Sequence, residues 1–263
     1  MGSATTQALA ASIKTLAAAK DVTLDTAREL FAAAHAVSAS SQLSGALADP
    51  SAPAAARQNV VAAVFGGFSA GAQGVLKTVV AERWSNAGEL VDGIEELAIR
   101  AAAIAEPGTD IEGELFGFSR VIAANPELEL ALGSRVGGED AKSALVERLL
   151  AEGSTGSATT LIITSLVREP RGRRVRRLLN RAMSVVSSQR GRVVATVHTA
   201  TALTDAQRAR LSDSLSRRYD GQVSLNVVID PAVVGGLRVQ IADDVIDGSI
   251  SARLADLRQK LAG

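Results

Sequence analysis

The residues of this chain that could do chemistry are few, and the sequence keeps them apart. The 263 residues include no cysteine and only two histidines, which excludes disulfides, thiolate metal sites and cysteine nucleophiles. His35 falls in an alanine-rich helical pattern and His198 on the polar side of a strand pattern, and neither has an acidic residue at metal-ligand spacing. We therefore predict two ordinary structural histidines, no catalytic centre, no cofactor and no metal ion.

Three acidic residues near the end of the chain come closest to a cation site: Asp243, Asp244 and Asp247. They lack the regular Asp/Asn spacing and the closing Glu of a calcium-binding loop. The pattern favours turn-forming residues instead, with Asp247 or Ser249 as the cap of a final helix.

A basic run is the strongest charge feature, and only Glu169 opposes it. Its members are Arg168, Arg171, Arg173, Arg174, Arg176, Arg177 and Arg181. Two interpretations remain open: a solvated helix face that ends at Pro170, or a surface that binds phosphates or an acidic partner through Arg173, Arg174 and Arg177. No aromatic residue interleaves with the arginines, so stacking on nucleic-acid bases is not supported.

The composition predicts the kind of element that must position these residues. Hydrophobic residues make up 47% of the chain but aromatic residues only 3%, which favours closely packed helices rich in alanine and leucine. Lys+Arg and Asp+Glu both count 28, so the net charge gives no reason to expect a nucleic-acid partner. No apolar run approaches the roughly 18–20 residues that span a bilayer, and the first residues show no signal-peptide pattern.

Apolar residues recur at helical spacing through the first 105 residues, which predicts a helical bundle. Thr23 or Asp25 is predicted to cap a helix that ends near Ala39, Ser69 to cap another, and Trp84 to lie in the core. The predicted buried stripes are Leu9, Ile13 and Leu16; Leu30, Phe31, Ala34 and Val37; Val60, Val61, Val64 and Phe65; Val75, Leu76, Val79 and Val80; and Leu90, Ile94, Leu97 and Ala101.

The same pattern returns after a shift of about 85 positions, without a gap. The matched pairs include Leu30 with Leu115, Val37 with Ile122, Leu47 with Leu132, Arg57 with Lys142, Leu76 with Leu161, Arg83 with Arg168 and Ile94 with Leu179. This repetition predicts a duplicated bundle, with one copy over residues 1–105 and a second over residues 106–190. Because the two copies lie too close together in the sequence for each to form a full bundle alone, one unbroken helix over residues 89–105 is predicted to be shared by both.

From residue 191 onward the apolar period changes from helical to two. Alternating residues predict strands around Val193–Val197, Val223–Ile229 and Leu237–Ile241, and Thr204 with Gln207 fits a capping box between the first two. A last apolar stripe, Ile250 to Leu261, predicts a closing helix. Residues 191–263 are therefore predicted to form a small α+β domain of order β-α-β-β-α.

The second and third strands of this domain are predicted to pair as a hairpin. The pair Gly235-Gly236 lies in the loop between them, where glycine permits a positive φ or a close backbone approach. Since the pair joins two strands, rather than a strand and a helix, it is not a phosphate-binding loop.

The run V-V-G-G-L-R-V-Q-I-A-D-D-V-I-D-G-S-I-S-A-R-L closely resembles the C-terminal signature of the delta subunit of F-type ATP synthases, the oligomycin-sensitivity conferral protein family. Its distinctive residues here are Gly235, Gly236, Asp247, Gly248 and Ser249. The segments E-L-F from residue 114 and N-P-E-L-E-L-A-L from residue 125 resemble the usual N-terminal helical domain of that family. The family's usual pattern has one such domain, and an enlarged form resembles actinobacterial delta subunits, some of which are fused behind a membrane-anchored b subunit.

The resemblance implies a non-catalytic stator component at the cytoplasmic side of the bacterial cell membrane, without direct membrane insertion. It implies that the helical domain receives the N-terminal helices of alpha subunits and that the C-terminal domain receives the end of subunit b. In this context the basic run would meet an acidic stretch of a neighbouring subunit. The alternative is a helical-repeat protein that binds nucleic acid, or acts as a scaffold, through the basic surface over residues 168–192.

Overall fold

The computed structural model describes residues 2–134, 138–151, 155–219, 221–231, 233, 235–241 and 244–248. The chain divides into two compact units, Met1–Val186 and Ser187–Gly263. The first is helical, and the second contains a mixed sheet, which confirms a mainly α fold followed by a small α+β domain. No helix among the described residues is long and apolar enough to cross a bilayer.

The helical part of the chain contains helices whose bounds follow the predicted stripes closely. They are α1 Ser3–Ala18, α2 Leu24–Ala39, α3 Ser41–Ala48, α4 Ala54–Val64, α5 Ala70–Ala81, α6 Ala87–Ala105, α7 Ile111–Ala124, α8 Pro126–Gly133, α9 Glu139–Ala151, α10 Ser157–Arg168 and α11 Val175–Gln189.

Short polar side chains begin many of these helices. The caps of α2, α3, α5, α6 and α7 are Thr23, Ser40, Ser69, Asn86 and Asp110. Each accepts a hydrogen bond from a backbone N–H of the first turn, which would otherwise lack a partner. The predicted caps Thr23 and Ser69 are confirmed.

Helix α6 is the centre of the helical unit. It is unbroken, and its residues from Gly93 to Ala103 are buried all round because α1, α2, α3, α5 and α10 pack against it. Trp84 is 4% exposed, and its indole N–H donates to the carbonyl oxygen of Val79 at 2.7 Å. A Cβ at Gly93 would overlap the Trp84 ring, so this glycine lets the ring approach α6 closely. The predicted core position of Trp84 is confirmed.

The helix bounds repeat along the chain, but not at one fixed offset. Helices α3 and α8 start 85 residues apart, whereas α5 and α10 start 87 apart and α6 and α11 start 88 apart. The buried stripe of α5, Val75–Val80, matches Ile162, Ile163, Leu166 and Val167 of α10 at 87. The gap-free matching of Leu76 with Leu161 is therefore wrong by two residues, because α9 has 13 residues and α4 has 11. By the same shifts, the predicted pairs Arg83 with Arg168 and Ile94 with Leu179 are also out of register.

One member of a predicted stripe is not buried. Val64 is 50% exposed, whereas Val61 and Phe65 of the same stripe are 0% and 4% exposed. Val64 is the last residue of α4.

The C-terminal unit contains β1 Arg192–Thr199, α12 Asp205–Tyr219, β2 Gln222–Ile229, β3 Leu237–Ile241 and β4 Asp244–Asp247. The strand order in the sheet is β2-β1-β3-β4. Strands β1 and β2 are parallel and joined by α12, while β1–β3 and β3–β4 are antiparallel. The core of this unit consists of Ala195, Val197, Leu215, Val223, Val239 and Ile241. The predicted capping box is confirmed, since Thr204 N–H donates to Gln207 at 2.9 Å and Gln207 N–H donates back at 3.3 Å.

The predicted hairpin between the second and third strands is wrong. Strand β1 lies between β2 and β3, because the crossover helix α12 lets β2 pair with β1 in parallel and so leaves the other edge of β1 for β3. The backbone N–H of Asp230 donates to the carbonyl oxygen of Thr199 at 2.8 Å as the chain leaves β2. Alternation shows that a segment is a strand but does not identify its neighbour.

A fourth strand was not predicted. Asp244 and Asp247, interpreted from sequence as turn formers, are the first and last residues of β4. Asp247 pairs in register with Arg238 of β3. The predicted turn at Asp243, the cap at Ser249 and the closing helix lie outside the described residues.

Candidate partner-binding site

Most of the basic run is engaged within the chain. Arg171 donates to Asp92 at 2.6 Å and to Glu95 at 3.0 Å, and both carboxylates belong to α6. Arg173 holds Glu95 through two guanidinium nitrogens, at 2.9 and 2.7 Å. The Glu95 side chain is only 9% exposed, so the two arginines compensate a carboxylate that α6 has taken out of water.

A second carboxylate of α6 extends this cluster. Glu96, 8% exposed at its side chain, accepts from Arg100 at 2.8 Å and from Arg181 at 3.4 Å. Arg176 pairs with Glu129 of α8 at 2.9 Å. The basic run is therefore neither a solvated face nor a free cationic surface along its whole length: much of it joins the α10–α11 segment to α6.

Arg174 and Arg177 differ from these neighbours. Both side chains are exposed, with Arg174 just before α11 and Arg177 near its start. Among the predicted partner-binding residues they point to solvent, whereas Arg173 is held by Glu95. A surface for an acidic partner would thus depend on Arg174 and Arg177.

The structure also contains a groove that the sequence did not reveal. It lies between α1 and α5, has a volume of about 750 Å³, and is called here the open groove. Its lining residues are Ala11, Lys14, Thr15 and Ala18 of α1 with Ala19 and Lys20 just after it, and Ala70, Gly71, Gly74, Val75 and Thr78 of α5 with Glu82 just after it.

Small residues on both walls leave the open groove empty. A Cβ added at Gly74 would meet nothing within 4 Å, so the space above this residue is empty. Alanine and glycine on both walls let another helix approach the backbones closely, and Lys14, Lys20 and Glu82 supply charge at its margins. The signal in the sequence was the pair Gly71 and Gly74 inside a helical pattern, where glycine costs stability unless a close approach needs it.

A second cavity of about 550 Å³ lies where α2, α9 and α10 meet, beside Val91 and Glu95 of α6. It mixes apolar and charged side chains, and His35 of α2 contacts Glu169 across it, with 2.9 Å between Nδ1 and Oε2. His35 therefore has a structural partner.

The signature residues of the C-terminal unit have structural roles where they are described. Gly235 and Gly236 have φ values of 62° and 81°, which confirms the predicted positive φ. Gly248 N–H donates to the carbonyl oxygen of Leu237 at 2.9 Å and closes the β3–β4 pair. Nearby, Asp244 accepts a hydrogen bond from the Tyr219 hydroxyl, which raises the pKa of Tyr219. These contacts shape the sheet; in the part of the chain that the structure describes, no group of three His, Cys, Asp or Glu could hold a metal ion.

Comparison with known proteins identifies the family. The family model for the ATP synthase delta (OSCP) subunit matches residues 96–261. ATP synthase subunit delta of Leifsonia xyli subsp. xyli is 47% identical over 265 residues and covers 100% of both chains. ATP synthase subunit delta of Streptomyces avermitilis is 40% identical over 222 residues, with 82% of this chain and 81% of the relative covered.

Among solved structures, a chain of the Toxoplasma gondii mitochondrial ATP synthase hexamer matches 64% of this chain and 97% of its own length. Its TM-score of 0.38 and 16% identity are too low to carry an argument. The sequence relatives are sufficient by themselves, since they extend over the helical and the α+β units alike. The chain therefore belongs to the ATP synthase delta (OSCP) subunit family, a family of structural stalk subunits rather than of catalytic enzymes.

Proposed function

We propose that this chain is the stator subunit that joins the catalytic head of an F-type ATP synthase to its b-subunit stalk, at the cytoplasmic side of the bacterial cell membrane. It resists the torque of the rotor during proton-driven ATP synthesis. The observation that carries this proposal is the full-length relationship, at 47% identity, to a protein named ATP synthase subunit delta. A permanent link under load needs a slow dissociation rate, which large, well-packed interfaces supply.

The open groove is the proposed receptor for the N-terminal helix of an alpha subunit. An amphipathic helix binds a groove through side chains spaced at i, i+3, i+4 and i+7. Here Val75 and the small residues of α1 and α5 offer an apolar floor with room for such a helix, and Lys14 and Glu82 offer charges at the margins.

The C-terminal unit is the proposed receptor for the end of subunit b. Both edge strands of its sheet carry exposed apolar side chains: Ile229 of β2 is 50% exposed and Val245 of β4 is 54% exposed. Such residues on a small sheet favour burial against a partner helix.

The helical part is proposed to be a duplicated bundle, residues 1–105 and 106–190, with the helix over residues 89–105 shared and the C-terminal domain over residues 191–263. The repeated helix bounds support this, and so does a repeated contact. Glu29 of α2 accepts from Ser69 N–H at the start of α5, and Glu114 of α7 accepts from Gly156 N–H at the start of α10. The family match begins at residue 96, which supports the proposal that the first bundle is the added one.

Arg174 and Arg177 are proposed to meet an acidic stretch of a neighbouring subunit. The alternative, nucleic-acid binding, needs a continuous field of free cations. The ion pairs of Arg171, Arg173 and Arg181 with α6 neutralise much of that field.

Calorimetric titration of the full chain with a synthetic N-terminal peptide of the alpha subunit from the same organism tests the proposal. We expect saturable binding that Gly74→Leu weakens at least about tenfold, because a leucine fills the space that the peptide needs. Gly117→Leu is the matched control, since Gly117 is exposed in α7 and a Cβ there meets nothing within 4 Å. No saturable binding, or equal loss in both variants, would count against the open groove as the receptor.

A further inference from the structure

We infer that the end of subunit b binds the C-terminal unit as an added β-strand, paired with the outer edge of β2. This surface, called here the β2 edge, consists of the backbone groups of Leu225, Val227 and Ile229 that point away from β1. The inference rests on the proposed function for the identity of the partner, whereas the chemistry of the site follows from the C-terminal unit alone.

The hydrogen bonds of Val223 show which backbone groups of β2 point outward. Its N–H donates to Ser216 Oγ at 3.1 Å, and its carbonyl oxygen accepts from Ser212 Oγ at 2.9 Å. Both groups therefore face α12 and not β1. Because alternate residues of a strand direct their backbone groups to the same side, the groups of the β2 edge also point away from β1.

Among the described residues, the β2 edge has no hydrogen-bond partner. Strand β2 is the last strand on its side of the sheet, and the bonds of turns, loops and side chains do not involve Leu225, Val227 or Ile229. Ile229 is also 50% exposed. The β2 edge therefore offers N–H and C=O groups at alternate positions, which is the pattern that an extended partner segment recognises.

The two edges of the sheet differ in how they discourage such pairing. Strand β4, at the other edge, has only four residues and carries Asp244 and Asp247 at its ends. Short length and charge are common means of preventing an edge strand from pairing with another chain. Strand β2 has eight residues, none of them charged and none a proline, and it pairs in register with β1 over its whole length. The β2 edge is therefore the one that an added strand can use.

An extended segment fits the β2 edge better than a helix does. A helix placed there would bury the Ile229 side chain but would also remove water from backbone groups without replacing their hydrogen bonds, which is unfavourable. An extended segment covers the same side chain and supplies the donors and acceptors. The end of subunit b is therefore expected to be extended where it meets this edge.

The surroundings of β2 define the chemistry of the segment. A cavity of about 360 Å³ lies at the start of β2, where Val223 is engaged with α12, and Ile229 lies at the other end. The polar residues that line this cavity are Arg192, Ser212, Asp213, Ser216, Gln222 and Ser224. At about 3.3 Å per residue, a segment of about seven residues reaches from one end to the other. It should be apolar beside Ile229 and polar beside the cavity.

Calorimetric titration of the full chain with a synthetic peptide of the C-terminal residues of subunit b tests the inference. Two further peptides carry N-methyl groups on alternate residues, one at the odd positions and one at the even positions. In an added strand only one of these sets directs its N–H groups to β2, so we expect one peptide to lose at least about tenfold in affinity and the other to stay within about threefold. Loss in both peptides, as for a helical ligand, or in neither would overturn the inference and leave the role of the C-terminal unit intact.

Proline substitutions at the two edges locate the site. Ile229→Pro removes an outward N–H from the β2 edge. Val245→Pro is the matched control, since Val245 is 54% exposed and Gly248 N–H donates to Leu237 of β3, so that the N–H of Val245 points away from β3. Proline is tolerated at such edge positions and keeps an apolar side chain. We expect Ile229→Pro to weaken peptide binding at least about tenfold and Val245→Pro less than about twofold. Equal effects, with circular dichroism showing both variants folded, would overturn the inference.

Hydrogen exchange gives a measurement at single residues. On peptide binding, we expect the protection of the Leu225, Val227 and Ile229 amides to rise at least about tenfold, and that of the Val223 amide, already bonded to Ser216, to change little. Binding that leaves the first three amides unchanged would overturn the inference alone. Absence of any binding would overturn it together with the proposed receptor for subunit b, while the alpha-subunit titration tests the other end of the proposed link separately.

Discussion

The two halves of the helical unit contain corresponding helices and differ in the residues at the positions that line the open groove. Between α1 and α5 the walls are alanine and glycine, and the space is empty. Between α6 and α10 the corresponding positions, 85 residues later in α6 and 87 residues later in α10, include the buried Ile99 and Ala103 and the larger Leu161. The comparison teaches that corresponding helices need not present the same surface, because the residues that line a groove can become buried or larger while the helices keep their order.

The two halves also share features that have nothing to do with binding. Leu30 and Leu115 are both 0% exposed, and Val61 and Val146 are likewise both 0% exposed. Arg57 and Lys142 are both 7% exposed and both donate to backbone carbonyl oxygens. Packing and polar satisfaction are thus maintained where the groove residues have diverged.

The largest effect is expected from matched core truncations. Leu30→Ala and Leu115→Ala should each cost about 2–5 kcal/mol, because both leucines are fully buried. Since both halves belong to one compact unit around α6, each variant should shift the same unfolding transition. Urea denaturation measures this loss of stability. The fluorescence of Trp84, the only tryptophan, reports the unfolding of the first half.

The informative variant is Leu115→Ala, since it changes the half that lacks the tryptophan. A Trp84 transition that stays at the wild-type midpoint, while circular dichroism detects an earlier loss of helix, would mean that the halves unfold separately. Leu130→Ala is the control, because Leu130 is 74% exposed and its truncation should cost less than about 0.5 kcal/mol.

A smaller effect is expected at the ion-pair cluster, which belongs to the second half. Glu95→Ala leaves Arg171 and Arg173 without their common acceptor and should cost about 2–3 kcal/mol, less than for a fully buried pair because the arginines are about a fifth exposed. The corresponding residue of α1 is Ala10, so the first half has no such cluster. Denaturation midpoints of Glu95→Ala and of the exposed control Glu127→Ala measure the difference, and equal midpoints would refute the importance of the cluster.

The repeated carboxylate contact should have equal weight in both halves. Glu29→Ala and Glu114→Ala each leave backbone N–H groups at a helix start without their acceptor, at a cost of about 1–2 kcal/mol. Thermal unfolding of the two single variants compares them directly. A cost confined to Glu114→Ala would show that the contact matters for the second bundle only.

The smallest effect concerns pH and distinguishes the first half. A hydrogen bond from Thr5 holds the pKa of Glu89 below its ordinary value of 4.5. Because the folded pKa is lowered, the carboxylate contributes its stability above pH 4.5 and loses it as the pH falls through the folded pKa. The wild type should therefore lose more stability than Glu89→Gln between pH 5 and pH 3, as measured by urea unfolding. The residue that corresponds to Thr5 in the second half is Leu90, which cannot donate such a bond.

Local features of this fold could be predicted from the sequence because their causes are local. The caps at Thr23 and Ser69, the stripe Val75–Val80 and the positive φ of Gly235 each depend on a few neighbouring residues. The partners of elements could not be predicted in this way. Alternation in β2 does not say that β1 lies beside it, and the arginine run does not say that Glu95 lies opposite.

The candidate site was the least predictable part. Arg173 was predicted to bind a partner because a run of arginines is apparent in the sequence. In the structure its guanidinium donates to Glu95 instead. The open groove depends on Gly74 and on α1, which lie about 60 residues apart and meet only through packing. The two-residue change of offset before α10 likewise follows from the two additional residues of α9, which a gap-free comparison cannot detect.

In the proposed duplication, helix α6 ends one bundle and begins the next, which limits how such a chain can be lengthened or shortened. A complete unit added or removed in the middle contains five helices rather than six, because the sixth is already in place. The boundary between two such bundles falls inside one continuous α-helix. A force on one bundle is therefore transmitted to the other through this helix rather than through a flexible linker. Each added bundle would therefore lengthen the helical unit without adding a flexible linker, as a subunit that resists torque requires.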